Sequence, residues 1–336
     1  MHQIKVKVIS RGGKRKAWRA QTPECSSIWG NCSFIFDNAI NEYDWLVVID
    51  DISRHQNAPP EICQCADAHT LLVTTEPPSI TRYGRTFSAQ FTHVLTSQNE
   101  QALPHPNRIH SHTGNLWYNG HSFDEVIQQP LPPKSASIST VCSSKRQRHT
   151  IHNKRYEFTQ WLKQRVPELE IFGHGVRFIK HKYDALDPYR YHLAVENHIA
   201  SHHWTEKLAD PFLSGSIPIY YGCPNAGDYF PKDSFVPINI NNPQESLQTI
   251  QTILADPDDY AKRLVALKEA QRLVLHEYNL LAMLNRVISE HYNPNCKASA
   301  RLLYNRKQMR LRHPRDLMSH LWWDTKRTLN RLKTEE

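Results

Sequence analysis

Short apolar runs separated by polar turns dominate the first part of the chain. Runs of roughly four to eight apolar residues bounded by turn residues are typical of strands buried in a parallel sheet. The segments between the runs are long enough for helices or loops, so the pattern predicts repeated strand–helix–strand units. The predicted strands are residues 4–9, 45–49, 70–75 and 93–96.

The segment 128–137 interrupts this pattern, and the same alternation restarts after it. Its prolines and small polar residues make it the best linker candidate in the chain. The predicted strands beyond it are 138–142, 169–172, 191–195, 217–221 and 235–240, and the predicted helices are 153–166, 205–213, 243–254 and 258–278.

Alternation on both sides of the linker predicts an α/β fold class with two domains, each built on a parallel sheet. Ligands of such sheets bind at the carboxyl ends of the strands, here in the cleft between the domains. The predicted boundaries are 1–130 for the N-terminal domain, 131–137 for the linker, 138–296 for the C-terminal domain and 297–336 for a helical tail.

Positive charge is concentrated at the end of the chain. The whole sequence has 41 Lys and Arg against 33 Asp and Glu, whereas residues 297–336 have 11 against 4. The nearly neutral body argues against a protein whose whole surface binds nucleic acid. In the tail, leucines and the pair Trp322-Trp323 recur among basic residues at helical spacing, which favours adsorption on an anionic membrane surface. The alternative is a helix packed on the first domain.

Features of export are lacking in the sequence. Residues 1–16 contain no apolar run that could serve as a signal peptide, and no window approaches the ~18 apolar residues that cross a bilayer. Seven cysteines without a C-x-x-C pair are typical of reduced thiols. We therefore expect a cytoplasmic location, peripheral on the inner face of the cytoplasmic membrane if the tail binds lipid.

The residues with the clearest chemistry follow the predicted strand 191–195. Glu196 and Asn197 lie at the carboxyl edge of that strand, and Thr205 is a natural N-cap for a helix with Glu206 and Lys207 in its first turn. A helix N-terminus presents free N–H groups and a partial positive charge, to which Lys207 adds a full one. This combination predicts a phosphate site. Glu206 is placed to accept hydrogen bonds from ribose or sugar hydroxyls.

This stretch resembles the signature of the family 10 glycosyltransferases, the α-1,3/1,4-fucosyltransferases. The matching segments are Val-Glu-Asn at 195–197, Trp-Thr-Glu-Lys at 204–207 and Ile-Pro-Ile-Tyr-Tyr-Gly at 217–222, followed by Tyr-Phe-Pro at 229–231 and Ser-Phe at 234–235. Their order and spacing over roughly 50 residues are far more specific than any single tripeptide.

The resemblance implies a GT-B architecture, in which the first of two Rossmann-like domains binds the acceptor and the second binds GDP-fucose. It also implies inverting, metal-independent transfer of fucose to a glycan of the lipopolysaccharide or capsule type, lipid-linked if the tail binds a membrane. No cofactor is implied beyond the GDP-sugar donor, and no nucleic acid is expected as a partner.

Weaker similarity supplies the remaining site residues. The segment Thr-Glu-Pro-Pro at 75–78 resembles the one that holds the family's proposed catalytic base, which implies Glu76 in that role. The donor-binding residues implied are Arg155, Asn197, Glu206 and Lys207. Lys154 and Arg148 compete with Arg155 for the arginine that contacts the donor's diphosphate.

Several features leave alternatives open. His198, His203 and Trp204 depart from the family pattern at positions expected to face the sugar, so a different nucleotide sugar is the alternative donor. A non-catalytic protein that binds glycans or polyanions through the basic tail is the contrasting class. The pair Asp50-Asp51 after the strand 45–49 resembles a metal site, but an acidic pair at a strand end is common, so no metal is expected.

Overall fold

The computed structural model describes residues 3–10, 15–53, 55, 57–114, 116–143 and 151–332 of the chain. It divides into two compact units. Unit 1 comprises residues 1–114 and 278–336, and unit 2 comprises residues 115–277. Each unit has its own parallel sheet, which confirms the α/β fold class predicted from the alternation of strands and helices.

The N-terminal part of unit 1 supplies most of its sheet. The elements in its described residues are β1 (Ile4–Ser10), α1 (Arg15–Ala20), β2 (Ile28–Trp29), β3 (Cys32–Ile35), β4 (Trp45–Ile49), β5 (Glu61–Cys63), β6 (Thr70–Thr74), α2 (Arg85–Ser88), β7 (His93–Thr96) and β8 (Arg108–His110). Seven strands pair in the order β2-β3-β1-β4-β6-β7-β8, and only the β2–β3 pair among them is antiparallel.

Strands β4 and β6 form the centre of this sheet because every residue in them is buried. Their continuous apolar sequences allow both faces of the sheet to be covered. The four strands predicted for this part of the chain are therefore confirmed within one residue. The shorter strands β2, β3, β5 and β8 have no comparable apolar run and were not predicted.

Unit 2 repeats the same plan with one continuous stretch of chain. Its described elements are α3 (Phe123–Gln128), β9 (Ala136–Val141), α4 (His152–Lys163), β10 (Leu169–Phe172), β11 (Tyr189–Val195), α5 (Glu206–Leu213), β12 (Ile217–Tyr221), β13 (Val236–Pro237), α6 (Pro243–Ala255) and α7 (Asp259–His276). Five parallel strands pair in the order β10-β9-β11-β12-β13. The order reverses between β9 and β11, and in open α/β sheets such a reversal marks the ligand site.

The structure places the boundary between the units elsewhere than in the predicted linker 131–137. That segment lies inside unit 2, where the buried Lys134 ammonium donates to the carbonyl oxygens of Asp187 at 2.8 Å and Ser214 at 2.7 Å. The prolines separate α3 from β9 within one unit. The chain crosses between the units near residues 114 and 277 instead.

The C-terminal residues return to unit 1, which corrects the prediction of a domain ending at 296 followed by a separate tail. Strand β14 (Arg301–Leu303) pairs with β5, and the Arg306 side chain donates to the Asp51 carboxylate at 2.9 Å with both groups almost fully buried. The packed-helix alternative is thus the one found for the first part of the tail. The returning elements are α8 (Leu280–His291), β14, α9 (Arg306–Arg312) and α10 (Pro314–Leu332).

Removal of residues 297–336 is expected to unfold unit 1, because it strips β14 from β5 and leaves Asp51 buried without Arg306. Breaking a buried ion pair alone costs about 3–5 kcal/mol. Thermal unfolding followed by circular dichroism measures the effect. A chain ending at residue 313 is the control, since it keeps β14 and α9, and it should remain folded. Equal melting temperatures for the full chain and the chain ending at 296 would contradict the expectation.

Candidate active site

The connection from β11 to α5 carries the site in unit 2. Every residue of β11 except Arg190 is buried, and the strand delivers Glu196 and Asn197 to the edge at which the strand order reverses. Thr205 has an extended backbone and its Oγ1 accepts from the Lys207 N–H at 3.3 Å, so it is the N-cap of α5 as predicted. The first turn of α5 therefore begins at the ligand-binding edge of the sheet.

Glu196 holds the first turn of α5 in place through Thr205, a role that its sequence pattern does not predict. Its side chain is 1% exposed and accepts from the Thr205 N–H at 2.8 Å and from Thr205 Oγ1 at 2.8 Å. Burial raises the pKa of Glu196, and the Lys207 ammonium, 3.7 Å from Oε2, opposes that rise. A charged residue directly after a buried strand was the available signal. Glu196 is a positioning residue that holds the helix start.

Lys207 is held between two carboxylates. Its Nζ lies 2.9 Å from Glu206 Oε1 and 3.7 Å from Glu196 Oε2. Burial would lower the pKa of Lys207, but these two carboxylates raise it above its ordinary value. Burial likewise opposes ionisation of Glu206, yet the cations Lys207 and Lys182 lower the pKa of Glu206 to about 2. Both side chains are charged at neutral pH, so the site keeps a fixed cation at the helix N-terminus.

Arg155 on α4 contributes a second cation near the first. It is buried, and its positive charge is close enough to Lys207 to lower the pKa of that ammonium. Its Nε is buried without a hydrogen-bond partner among the described residues. Lys154, the competitor on the same helix, turns instead to Asn241 Oδ1 at 3.4 Å, and Arg148 lies outside the described residues. The geometry therefore favours Arg155 over Lys154 for an anion bound at α5.

Asn197 also has unused hydrogen-bonding capacity. Its Oδ1 is buried, and no donor in the described part of the chain reaches it. A buried acceptor without a donor costs free energy comparable to a lost hydrogen bond. A ligand hydroxyl at the strand edge would supply that donor.

Trp204 is a packing residue, which corrects the expectation that it faces the sugar. It is 2% exposed, and its ring lies 5.0 Å from the ring of Phe230 and 5.9 Å from that of Tyr229, measured between centroids. The Trp-Thr-Glu-Lys and Tyr-Phe-Pro segments of the signature therefore meet in one aromatic cluster. His203 remains next to the site, and burial lowers its pKa to about 4, so its imidazole is neutral at pH 7.

Replacing Trp204 by alanine is expected to destabilise the protein by about 3–5 kcal/mol, because it empties a large buried volume beneath α5. Urea unfolding followed by circular dichroism measures the change. Trp204→Phe is the matched control and should cost much less, since it preserves the contact with Phe230. An alanine variant as stable as the parent would show that the ring does not pack as described.

Gly222 ends the Ile-Pro-Ile-Tyr-Tyr-Gly segment for a steric reason. A Cβ at this position would collide with the Tyr220 hydroxyl and with Cγ of Glu196. The backbone directly after β12 thus passes so close to the Glu196 side chain that only glycine fits at position 222.

Glu76, the predicted catalytic base, lies in unit 1. Its side chain is exposed directly after β6, while its backbone is fixed: its N–H donates to the Tyr83 hydroxyl at 3.4 Å and its carbonyl oxygen accepts from Gln98 Nε2 at 2.7 Å. Asp50 anchors the same loop by accepting from the Thr75 N–H at 2.7 Å and from the Tyr83 hydroxyl. A fixed backbone with an exposed carboxylate is a suitable support for a base.

Asp50 and Asp51 serve structural roles. Asp50 is occupied by Thr75 and Tyr83, and Asp51 is occupied by the Arg306 side chain and the backbone N–H of Ile52. These hydrogen bonds explain the presence of two acidic residues at the end of β4. Within the described ranges, no group of three or more His, Cys, Asp and Glu residues is arranged to hold a metal ion.

The structure therefore groups the predicted donor-binding residues in one unit. The Glu206–Lys207 pair starts α5, Arg155 lies near Lys207, and Asn197 follows Glu196 at the strand edge. The family model for glycosyltransferase family 10 (fucosyltransferase), C-terminal part, matches residues 131–323. The chain belongs to glycosyltransferase family 10. This confirms the resemblance read from the motifs, and the match covers all the residues of this group.

Individual relatives align over shorter stretches. The chain is 32% identical over 80 residues to GDP-fucose protein O-fucosyltransferase 3 of Gallus gallus, covering 23% of this chain and 17% of the relative. It is 31% identical over 83 residues to alpha-(1,3)-fucosyltransferase FucT of Helicobacter pylori, covering 24% of this chain and 17% of the relative. The chain thus spans less than a fifth of the length of either of these curated relatives.

Among solved structures, an alpha1,3-fucosyltransferase with GDP-fucose superposes with a TM-score of 0.46 at 16% identity, covering 82% of this chain and 92% of the other. The fold class of the family 10 chain rests on its own topology. Each unit has a core of parallel strands with a Rossmann-like order reversal, β1/β4 in unit 1 and β9/β11 in unit 2, as predicted for a GT-B enzyme.

Proposed function

We propose that this family 10 protein transfers fucose from GDP-fucose to a hydroxyl of a glycan acceptor, with inversion at the anomeric carbon. The observation that carries the proposal is the N-terminus of α5, where Lys207 and Arg155 supply two cations beside the positive end of the helix dipole. Such a combination binds and stabilises a diphosphate without relying on flexible surface residues.

The chemistry proposed is a single displacement. A carboxylate base, for which Glu76 is proposed, takes the proton of the acceptor hydroxyl as the oxygen forms a bond to the anomeric carbon. The bond from that carbon to GDP breaks, and GDP leaves with the electron pair. Lys207, Arg155 and the positive end of the α5 dipole stabilise the charge that develops on the leaving diphosphate. Asn197 and Glu206 accept hydrogen bonds from sugar or ribose hydroxyls.

A donor panel tests the proposal. Purified protein is assayed for transfer and for donor hydrolysis with GDP-fucose, GDP-mannose and UDP-sugars, with and without EDTA. We expect turnover with GDP-fucose that EDTA does not abolish. Turnover with a different nucleotide sugar, and none with GDP-fucose, would identify that nucleotide sugar as the donor. The departures of His198 and His203 from the family pattern would explain this outcome. Absence of binding and turnover with every donor would refute the transferase.

The acceptor is proposed to be a glycan of the lipopolysaccharide or capsule type, reached at the inner face of the cytoplasmic membrane. Helix α10 supports this location, because Met318, Leu321 and Trp322 are exposed on one face of it, with Arg315 and Lys326 also exposed. In the described part of the chain, no helix is long and apolar enough to span a bilayer. Sedimentation with phosphatidylglycerol vesicles tests adsorption, and Leu321→Ser should weaken it.

A further inference from the structure

Unit 1 contains a cavity of about 800 Å³ whose described lining includes none of the residues proposed for the transfer. It is lined by α9 and α10 and by segments that follow β6 and β7, and its volume falls within the range typical of small-molecule sites. Four arginines line it, together with a single carboxylate, that of Asp316. The arginines are Arg82, Arg85, Arg310 and Arg315.

The carboxylate of Asp316 offsets one of these four positive charges and is held in place by Thr86 of α2. Its Oδ2 accepts from the Thr86 N–H at 2.9 Å and from Thr86 Oγ1 at 2.5 Å. None of the hydrogen bonds that the structure assigns to Asp316 comes from an arginine of the cavity. Four guanidinium groups against one carboxylate leave the described lining of the cavity with a net positive charge.

Two of the arginines, Arg310 and Arg82, have no hydrogen bond to a carboxylate among the described residues. Arg310 donates from Nη2 to the Arg82 carbonyl oxygen at 2.6 Å and from Nη1 to His320 Nε2 at 3.2 Å, and neither partner is a carboxylate. Burial and the neighbouring Arg306 lower the pKa of Arg310 despite nearby aspartates. Arg82 Nε is buried with no hydrogen-bond partner among the residues described. A bound anion would relieve both costs.

The remaining wall is aromatic. Trp322 and Trp323 both line the cavity, and Trp323 stacks on His320 with 5.8 Å between ring centroids. Trp322 is 65% exposed, and the Lys326 ammonium lies over its ring at 5.2 Å from the centroid. Flat indole surfaces cover the apolar C–H face of a ring while leaving its polar groups to hydrogen-bond elsewhere.

We propose that this cavity binds an anionic saccharide, a sugar that carries a phosphate or a carboxylate group. The arginines pair with the anion, and Trp322 and Trp323 cover the face of the sugar ring. Forked guanidinium groups recognise phosphate and carboxylate equally by paired hydrogen bonds, so both belong to one ligand chemistry. The acceptor glycan is the expected source of this group; that last step rests on the proposed function, whereas binding in the cavity does not.

Isothermal titration of the full chain tests the binding itself. The probes are glucose 1-phosphate, glucuronate and uncharged glucose, each titrated at constant ionic strength in the presence of saturating GDP, which fills the donor site. We expect the two anionic probes to bind and glucose not to bind. Arg85→Glu and Arg315→Glu, both at exposed positions, should each weaken binding by about tenfold or more. Lys307→Glu on α9 is the matched control and should leave binding unchanged.

The outcomes separate the alternatives. Equal loss in Lys307→Glu would mean a diffuse charge effect and would overturn a built site. Vesicle binding that depends on Arg85 and Arg315, without any sugar phosphate binding, would assign the cavity to lipid headgroups and overturn the saccharide. If GDP fails to bind, the transferase proposal fails. The dependence of probe binding on Arg85 and Arg315 still tests whether the cavity binds an anionic saccharide.

Discussion

Lys207→Met should weaken GDP binding by about thirtyfold or more, because it removes the proposed charged partner of the diphosphate and leaves a buried carboxylate behind. The ammonium lies 2.9 Å from Glu206 Oε1 and 3.7 Å from Glu196 Oε2, so these two carboxylates fix its position at the start of α5. Titration calorimetry with GDP measures the affinity. Lys262→Met, an exposed lysine of the same unit that pairs with Asp256, is the matched control and should bind GDP normally.

The same variant has a pH signature that separates charge loss from general damage. The folded pKa of Glu196 already lies above the 4.5 of an ordinary glutamate, so its ionisation destabilises the folded state as pH rises through the folded value. Without Lys207 that pKa rises further. The free energy of unfolding of Lys207→Met should therefore fall more steeply than that of the parent as pH rises above 4.5. Parallel pH profiles would show that Lys207 does not compensate Glu196.

Local patterns predicted the elements that carry the proposed donor site. The apolar run before Glu196 indicated β11, and Thr205 followed by Glu206 and Lys207 indicated the N-cap of α5; the structure has both. These features are decided within a few residues, by burial of a strand and by hydrogen bonding at a helix start. The function of Glu196 could not be predicted in this way, since it depends on its contact with Thr205 nine residues later and on the close approach of Gly222.

The architecture of unit 1 depends on contacts that no local pattern reports. Arg306 meets Asp51 across 255 residues of sequence, and β14 pairs with β5 although neither has a strong apolar run. The basic composition of the tail indicated a surface segment. Its first strand instead contributes Leu303 to the hydrophobic core of unit 1, in the same cluster as Cys63. The prolines within 130–133 favour a linker between domains, because composition alone does not distinguish such a linker from a turn within a domain.

Glu76→Ala is expected to lower the rate of fucose transfer by about 10²–10⁴-fold while GDP binding stays unchanged, the range by which a positioned general base accelerates proton transfer. The carboxylate is exposed after β6 on a loop whose backbone is tied to Tyr83 and Gln98, so its loss should not disturb the fold. Transfer kinetics and calorimetry with GDP on the same preparation separate chemistry from donor binding.

Two further variants make the assignment of Glu76 specific. Glu100→Ala removes another exposed carboxylate of unit 1 and should retain full activity. Glu76→Gln keeps the shape of the side chain but cannot accept the proton, so it should be as slow as Glu76→Ala and should lose the acidic limb of the pH–rate profile. An active Glu76→Gln would exclude Glu76 as the base, and the lost activity of Glu76→Ala would then report a positioning contact of that loop.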